Sequence, residues 1–126
     1  MHETKPNIEH FWTDSLPMAI TRTDKDLKIV YMNEESVKVN NPDGSKSLIG
    51  SDLMACHNER SREIIRKIIE SRVPNIYSIT KHGRQKLIYQ SAFFDEQGEF
   101  AGIAEFSMVL PDPMPHYDRD KKKSDA

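Results

Sequence analysis

The chain has 126 residues and a mass of 14.6 kDa, with 18 Lys and Arg residues against 20 Asp and Glu residues and a formal net charge of −2. This length predicts a single domain, and the near-neutral balance gives no chain-wide field for holding a nucleic acid or an anionic membrane, so neither is expected as a partner. The single cysteine, Cys56, excludes an internal disulfide and a cysteine-built zinc site. No apolar run approaches the roughly 20 residues of a membrane-spanning helix, so we expect a cytoplasmic protein.

Hydrophobic spacing divides the sequence into an N-terminal segment, a folded domain and a tail, with boundaries at 1–15, 16–110 and 111–126. In the first part, Ile8, Phe11 and Trp12 recur at helical spacing and predict a short amphipathic helix. The last part begins with three prolines in five residues and continues as a mixed charged string. That composition predicts a disordered tail.

Two short strands, Ala19–Thr23 and Leu27–Met32, are predicted at the start of the domain. Asn33 follows the second strand directly and is expected to cap a short helix, Glu34–Val39. The two acids that open this helix lie at the positive end of its dipole, which favours the same start. Beyond a loop, residues 48–57 predict an irregular turn or a short helix.

A longer amphipathic helix is predicted over Ser61–Arg72, because isoleucines recur there at i, i+1, i+4 and i+5 and Pro74 follows. Asn58 and Ser61 are both possible N-caps for it. Three strands joined by glycine-containing hairpin loops are predicted next: Ile76–Thr80, Lys86–Phe94 and Phe100–Leu110. The order β-β-α-α-α-β-β-β predicts an α+β domain with one antiparallel sheet.

The last predicted strand carries apolar residues on both faces: Ile103 and Val109 on one, and Ala104, Phe106, Met108 and Leu110 on the other. A sheet with one solvated face would alternate cleanly between apolar and polar residues, so both faces must be covered. The N-terminal helix, with Phe11 and Trp12, is the available cover, and a second subunit is the obvious supplement. We therefore expect a homodimer with these two aromatic residues at its interface.

The segment from Leu16 to Asn33 resembles the opening of a PAS domain, in which a strand, an Asp-containing turn and a second strand ending in Tyr-x-Asn lead into a short helix. Ile49-Gly50 resembles the start of the middle helices of that family, and the segment Gln97 to Gly102 resembles the turn and start of its last strand. The resemblance covers about Leu16 to Leu110. It implies a five-stranded antiparallel sheet with helices over one face and a cavity between them, but no particular ligand.

The residues Cys56-His57-Asn58-x-x-Ser61 more loosely resemble a PAS subgroup with a Cys-His pair just before the long helix. Flavin is not expected, because the segment 54–60 departs at nearly every position from the Asn-Cys-Arg-Phe-Leu-Gln motif of flavin-binding PAS domains. Haem stays an alternative: the long helix has no His, but His57 lies where another haem-binding type places its iron ligand. No other metal site is expected.

A cavity wall can be proposed from residues that combine apolar bodies with a few polar groups: Met32, Met54, Cys56, His57, Ile64, Ile68, Tyr89 and Phe106. Such a mixture suits a small, partly apolar ligand. The competing interpretation is that these residues fill the core and leave no space for a ligand. For His57 the competing interpretation is a bond to a nearby carbonyl or a helix cap.

Catalysis is not expected, because the histidines show no i, i+3 or i, i+4 pairing and no phosphate-binding glycine loop is present. The adjacent Cys56 and His57 would point in different directions and rarely form a dyad. We expect a stand-alone sensory or interaction module of bacterial regulator type, which binds a small ligand or a partner protein and signals through association. A haem-based redox or gas sensor using His57, a small α+β enzyme with a pocket acid or base, and a structural module without a cavity are the alternatives.

Overall fold

A computed structural model describes residues 10–40 and 48–120 of the chain, apart from the side chain of Cys56. Five strands form one antiparallel sheet in the order β2-β1-β5-β4-β3, which confirms the predicted α+β class and element order. The predicted part of the first helix around Ile8 lies outside the described residues. The elements are α1 (Phe11–Asp14), β1 (Ala19–Thr23), β2 (Ile29–Met32), α2 (Glu34–Asn40), a 3₁₀ helix (Met54–Cys56), α3 (Glu59–Ser71), β3 (Asn75–Lys81), β4 (Arg84–Phe94) and β5 (Phe100–Val109).

The central strand β5 pairs with β1 on one side and β4 on the other, so its two rows of side chains define the two faces of the sheet. Ile103 is fully buried and belongs to the core beneath α3, so it marks the inner face, which the helices cover. Glu105 shares that face because side chains alternate along a strand. Phe106 lies on the opposite, outer face.

Helix α3 supplies much of the apolar core. Asn58 caps it through Oδ1, which accepts from the backbone N–H of Ser61 at 2.9 Å. The helix therefore starts at Glu59, two residues before the predicted start. It ends at Ser71, and the following residue, Arg72, has a left-handed φ of 61° that turns the chain toward β3. The buried core consists of Ile29, Met32, Leu53, Ile65, Ile68 and Ile103.

The side chain of Asn33, only 1% exposed, uses all of its hydrogen-bonding capacity. Its Oδ1 accepts from the backbone N–H of Ile20 at 2.9 Å and from that of Ser36 at 3.0 Å, the second being the bond of a helix N-cap. Its Nδ2 donates to the carbonyl oxygens of Thr13 at 2.9 Å and Met18 at 2.7 Å. One amide thus joins α1, β1 and α2.

Helix α1 is fastened to the outer face by polar contacts. The Tyr31 hydroxyl donates to Asp14 Oδ1 at 2.6 Å and shares a hydrogen bond with Thr13 Oγ1 at 2.8 Å. Burial, followed by the bond to Asp14, raises the pKa of Tyr31, so this hydroxyl remains a donor at neutral pH. Phe11 and Trp12 are 72% and 67% exposed, so the chain itself does not bury them.

Residues 111–120, the described part of the predicted tail, contain no helix or strand. In the described ranges, no helix is long and apolar enough to cross a membrane.

Asn33→Ala should lower the free energy of unfolding by about 3 kcal/mol or more, because several buried partners lose their bonds at once. The matched control is Asn58→Ala, which removes an exposed cap from α3 and should cost about 1 kcal/mol. Urea denaturation of both variants measures the difference. Equal losses in the two variants would show that Asn33 acts only as a cap.

Candidate functional site

A cleft lies between the inner face of the sheet and the segment formed by α2 and the 3₁₀ helix. It consists of two adjoining hollows of about 210 Å³ and about 270 Å³. The two hollows adjoin one another, because both are lined by Thr21, Asn40, His57 and Glu105. The larger extends toward the apolar core at Met32 and Leu53, and the smaller toward β3 and β4.

A polar row crosses the floor of this cleft. Through strand pairing, Glu105 lies opposite both Thr21 and Gln90, and Gln90 lies opposite Asn75. Gln90 Nε2 donates to Glu105 Oε2 at 2.8 Å, and Asn75 Nδ2 donates to Gln90 Oε1 at 2.9 Å. Because a carboxylate only accepts, it orients the Gln90 amide, which in turn orients Asn75. The row therefore directs its donors toward Glu105.

Burying the polar side chains of this row costs free energy, and hydrogen bonds within the row offset that cost. Gln90 is 8% exposed. A buried amide without partners would lose its hydrogen bonds to water and gain none in their place. Both ends of the Gln90 amide are bonded within the row. Glu105 Oε2 accepts from Gln90, and Glu105 lines both hollows of the cleft. The cleft thus contains a hydrogen-bond acceptor with negative charge.

Tyr77 lines the same cleft from β3. Burial and the charge of Glu105 raise the pKa of Tyr77, in that order of importance. The Tyr77 hydroxyl is therefore protonated at neutral pH and offers a ligand a donor as well as an acceptor.

On the helix side, the cleft is bordered by a small hydroxyl and amide network. The Thr21 and Ser36 hydroxyls share a hydrogen bond between β1 and α2. Asn40 Nδ2 donates to the carbonyl oxygen of Ser36 at 3.0 Å and to its Oγ at 3.3 Å. These bonds hold Asn40 at the wall of both hollows.

His57 is positioned by its backbone neighbours. Its Nδ1 lies 2.8 Å from the carbonyl oxygen of Leu53, and a carbonyl only accepts, so Nδ1 carries the proton of the neutral ring. In that tautomer the other nitrogen, Nε2, is an acceptor, and His57 lines both hollows of the cleft. Arg62 Nε donates to the carbonyl oxygens of His57 and Met54, each at 3.0 Å, which fastens this segment to α3.

Of the residues expected to line the cavity, Met32, His57 and Phe106 line the cleft. Met54 packs against the apolar core. Ile64 and Ile68 instead border a different hollow, between α3 and β3, and Ile68 belongs to the buried core. The side chain of Cys56 lies outside the described part of the chain.

Phe106 and Tyr89, also expected at the cavity wall, lie edge-to-face with ring centroids 5.9 Å apart. Phe106 contributes to the lining of the smaller hollow, whereas Tyr89 does not border either hollow. Because side chains alternate along a strand, the rings of both residues point to the face opposite Gln90 and Glu105, where Phe106 also lines a hollow beside Trp12.

The functional residues missed from the sequence are Asn75, Tyr77, Gln90 and Glu105. A signal was present, because Gln90 and Glu105 interrupt two largely apolar strands with long polar side chains. Only strand pairing shows that these interruptions lie opposite one another.

A haem does not fit this cleft well. His57 Nε2 is a suitable nitrogen, but a haem needs a largely apolar slot, and this wall also carries Thr21, Gln90 and Glu105. Within the described ranges, no three His, Cys, Asp or Glu residues come together as a metal site.

Solved structures of other proteins share this arrangement of sheet and helices. The PAS domain of BvgS from Bordetella pertussis matches with a TM-score of 0.59 and 18% identity, over 82% of this chain and 84% of that chain. The PAS domain of the histidine kinase ThkA matches with a TM-score of 0.58 and 20% identity, over 74% of this chain and 99% of that chain. The chain has the PAS fold.

A third PAS-fold structure is the Aer2 receptor of Vibrio cholerae, a dual PAS-heme oxygen sensor, with a TM-score of 0.54 and 21% identity over 75% of this chain and 95% of that chain. Neither a protein-family model nor a curated protein matches the sequence. The predicted PAS-like fold is confirmed, and the ligand has to be argued from this chain's own cleft.

His57→Ala should lower the free energy of unfolding by about 1 kcal/mol, because the bond to the Leu53 carbonyl is lost at a partly exposed site. His116→Ala, at an exposed position, is the matched control and should change stability by less than about 0.5 kcal/mol. Chemical denaturation at pH 7.5 measures both. Equal stability of the two variants would contradict a positioning role for the Nδ1 bond.

Proposed function

We propose that this chain is a sensory and interaction module, which binds a small ligand in the inner cleft and signals by association through the outer face of the sheet. The observation that carries the proposal is the alternation along β5. Glu105 lines the cleft, while the side chain of the next residue, Phe106, points to the opposite face of the sheet, where it lines the hollow beside Trp12. A ligand that moves the backbone at Glu105 therefore moves the outer surface directly. The neighbours with the PAS fold, which include a domain of a histidine kinase and an oxygen sensor, support a sensory role.

The cleft favours a ligand with an N–H or O–H donor. Glu105 is the acceptor at which the polar row ends, and His57 Nε2 is a second acceptor on the same wall. Hydrogen bonds that involve a charged group contribute about 1.5–3 kcal/mol, more than neutral ones. Apolar ligands that lack a donor would leave Glu105 desolvated and unpaired.

The outer face favours a second copy of the chain as the partner. It presents Leu87, Tyr89, Phe106 and Met108 beside the exposed Phe11 and Trp12 of α1, with few charges among them. In a two-fold symmetric dimer each patch meets itself, so a patch of one charge sign would repel its copy whereas an uncharged apolar patch does not. Trp12 and Phe106 line one hollow of about 390 Å³ on this face, together with apolar residues that include Leu16, Met18 and Ile20 and with one charged residue, Arg22.

The cleft chemistry supports binding rather than acid–base catalysis. A general acid or base works best with a pKa near the operating pH. The pKa of Tyr77 is raised, which moves its titration further from neutrality. This residue is therefore suited to hold a ligand by hydrogen bonding.

Glu105→Gln tests the cleft. If the wild-type protein is purified gently, native mass spectrometry should show a retained small molecule, and the isosteric variant should reduce its occupancy about tenfold or more, because one charge-assisted bond is lost. Glu99→Gln, in the exposed turn before β5, is the matched control and should keep the wild-type occupancy. Equal occupancy in both variants would contradict the cleft as the binding site.

The double substitution Phe11→Ala with Trp12→Ala tests the outer face. It should raise the dissociation constant of the homodimer about tenfold or more, since exposed aromatic residues dominate interface energies. Val73→Ala, an exposed apolar residue after α3, is the control and should leave association unchanged. Sedimentation equilibrium measures all three proteins, and a strictly monomeric wild type at high micromolar concentration would contradict the dimer.

A further inference from the structure

Basic side chains converge at the end of the cleft nearest the hairpin between β3 and β4. A hollow of about 290 Å³ is lined there by Lys38, Val39, Lys81, His82, Arg84, Lys86 and Val109. None of these described lining residues is acidic. The whole chain carries a net charge of −2, so this concentration of positive charge is local and runs against the overall balance.

The fold holds these cations on one face. His82 and Gly83 form a two-residue turn with φ of 54° and 75°, a conformation that matches the twist of a tight hairpin. Lys81 therefore pairs directly with Arg84, and Lys86 pairs with Ile79 on the same inner face. Across the hollow, Lys38 is presented by α2.

This arrangement is unfavourable without a counter-charge. Like charges placed directly opposite on neighbouring strands destabilise the pair, and Lys81 and Arg84 occupy such positions. The ion pairs found in the described ranges all lie on α3, among Glu59, Arg62, Glu63 and Arg66. An anion bound in the hollow would relieve this repulsion.

The basic hollow is the mouth of the cleft. Val39, Lys81 and Lys86 line both the hollow and the cleft that contains Glu105. Lys86 lies four residues along β4 from Gln90, or about 14 Å at the usual rise of a strand. The adjoining hollows thus place the Glu105 carboxylate in the cleft and a group of cations at the end that we call the mouth.

We propose that this mouth, formed by Lys38, Lys81, Arg84 and Lys86, is an anion-binding site that takes a phosphate or carboxylate group of the ligand. The proposal rests on the proposed function of the cleft and deepens it by naming the ligand class. The ligand is an elongated small organic anion, with its negative group at the mouth and a hydrogen-bond donor that reaches toward Glu105. The charge pattern also fixes its orientation, because an anionic group at the inner end would meet the Glu105 carboxylate.

Titration of the full chain with inorganic phosphate, followed by ¹⁵N–¹H correlation spectra at constant ionic strength, tests the mouth by itself. We expect saturable shifts in the amide resonances of residues 81–86 and of Lys38. Arg84→Gln and Lys86→Gln should each weaken phosphate binding about three- to tenfold, because one cation is removed from the group. Lys67→Gln, at an exposed position on α3 outside this hollow, should bind phosphate as the wild type does.

The same spectra report whether each variant is folded, so a loss of binding is separable from unfolding. Shifts that grow without saturation, or that are spread over all lysine and arginine segments, would overturn the anion site. Unchanged phosphate affinity in both Arg84→Gln and Lys86→Gln would do the same.

The experiments distinguish a failure of the anion-site proposal from a failure of the proposed ligand binding in the cleft. A retained ligand that depends on Glu105 but carries no anionic group would overturn the mouth proposal and leave the proposed function standing. Saturable phosphate binding at residues 81–86, together with a ligand occupancy that Glu105→Gln does not change, would support the anion site. The same result would contradict ligand binding at Glu105 in the cleft.

Discussion

Hydrogen bonds to the buried side chain of Asn33 join three elements that hydrophobic packing alone would leave free to slide. The amide oxygen links the N–H of Ile20 in β1 to the first turn of α2, and the amide nitrogen reaches the chain on either side of the connection from α1 to β1. Because α2 borders the cleft and α1 lies on the outer face, this one residue sets the position of both surfaces relative to the sheet. Its four bonds satisfy a side chain that would otherwise be costly to bury.

The two faces of the sheet are chemically different although they belong to the same strands. On the inner face, a row of amides ends on the carboxylate of Glu105 within a cleft. On the outer face, the neighbouring residues Tyr89 and Phe106 form an apolar surface. If the proposed function holds, one strand carries the ligand-facing polar row and the partner-facing apolar row, which would link binding to association physically. The buried Gln90 amide is tolerated because both of its ends are bonded within the row, which also fixes the direction of its donors.

The cleft carries charges of opposite sign at different positions along its length. The acceptor at Glu105 lies in the middle of the space, whereas Lys81, Arg84 and Lys86 lie at its mouth. Such a separation favours a dipolar or anionic ligand in one orientation over the reverse, because each misplaced end would meet a like charge. The tight turn at His82 and Gly83 makes the mouth part of a hairpin, so the proposed anion would need little ordering of the backbone to bind.

The sequence by itself determined the elements and their order, because these depend on local chemistry. Isoleucines at helical spacing behind Asn58 predicted α3, glycine-containing turns predicted the hairpins, and the position of Asn33 after an apolar strand predicted a cap. The cleft was predicted to exist, but only part of its wall was identified: Met32, His57 and Phe106 contribute to its lining, whereas Gln90 and Glu105 were not predicted. A period of two shows which residues share a face of a strand, but not which face meets the helices when both carry apolar groups. The polar row and the basic mouth depended on tertiary structure alone, since they unite residues such as Lys38 and Lys86 that only strand pairing and helix packing bring together.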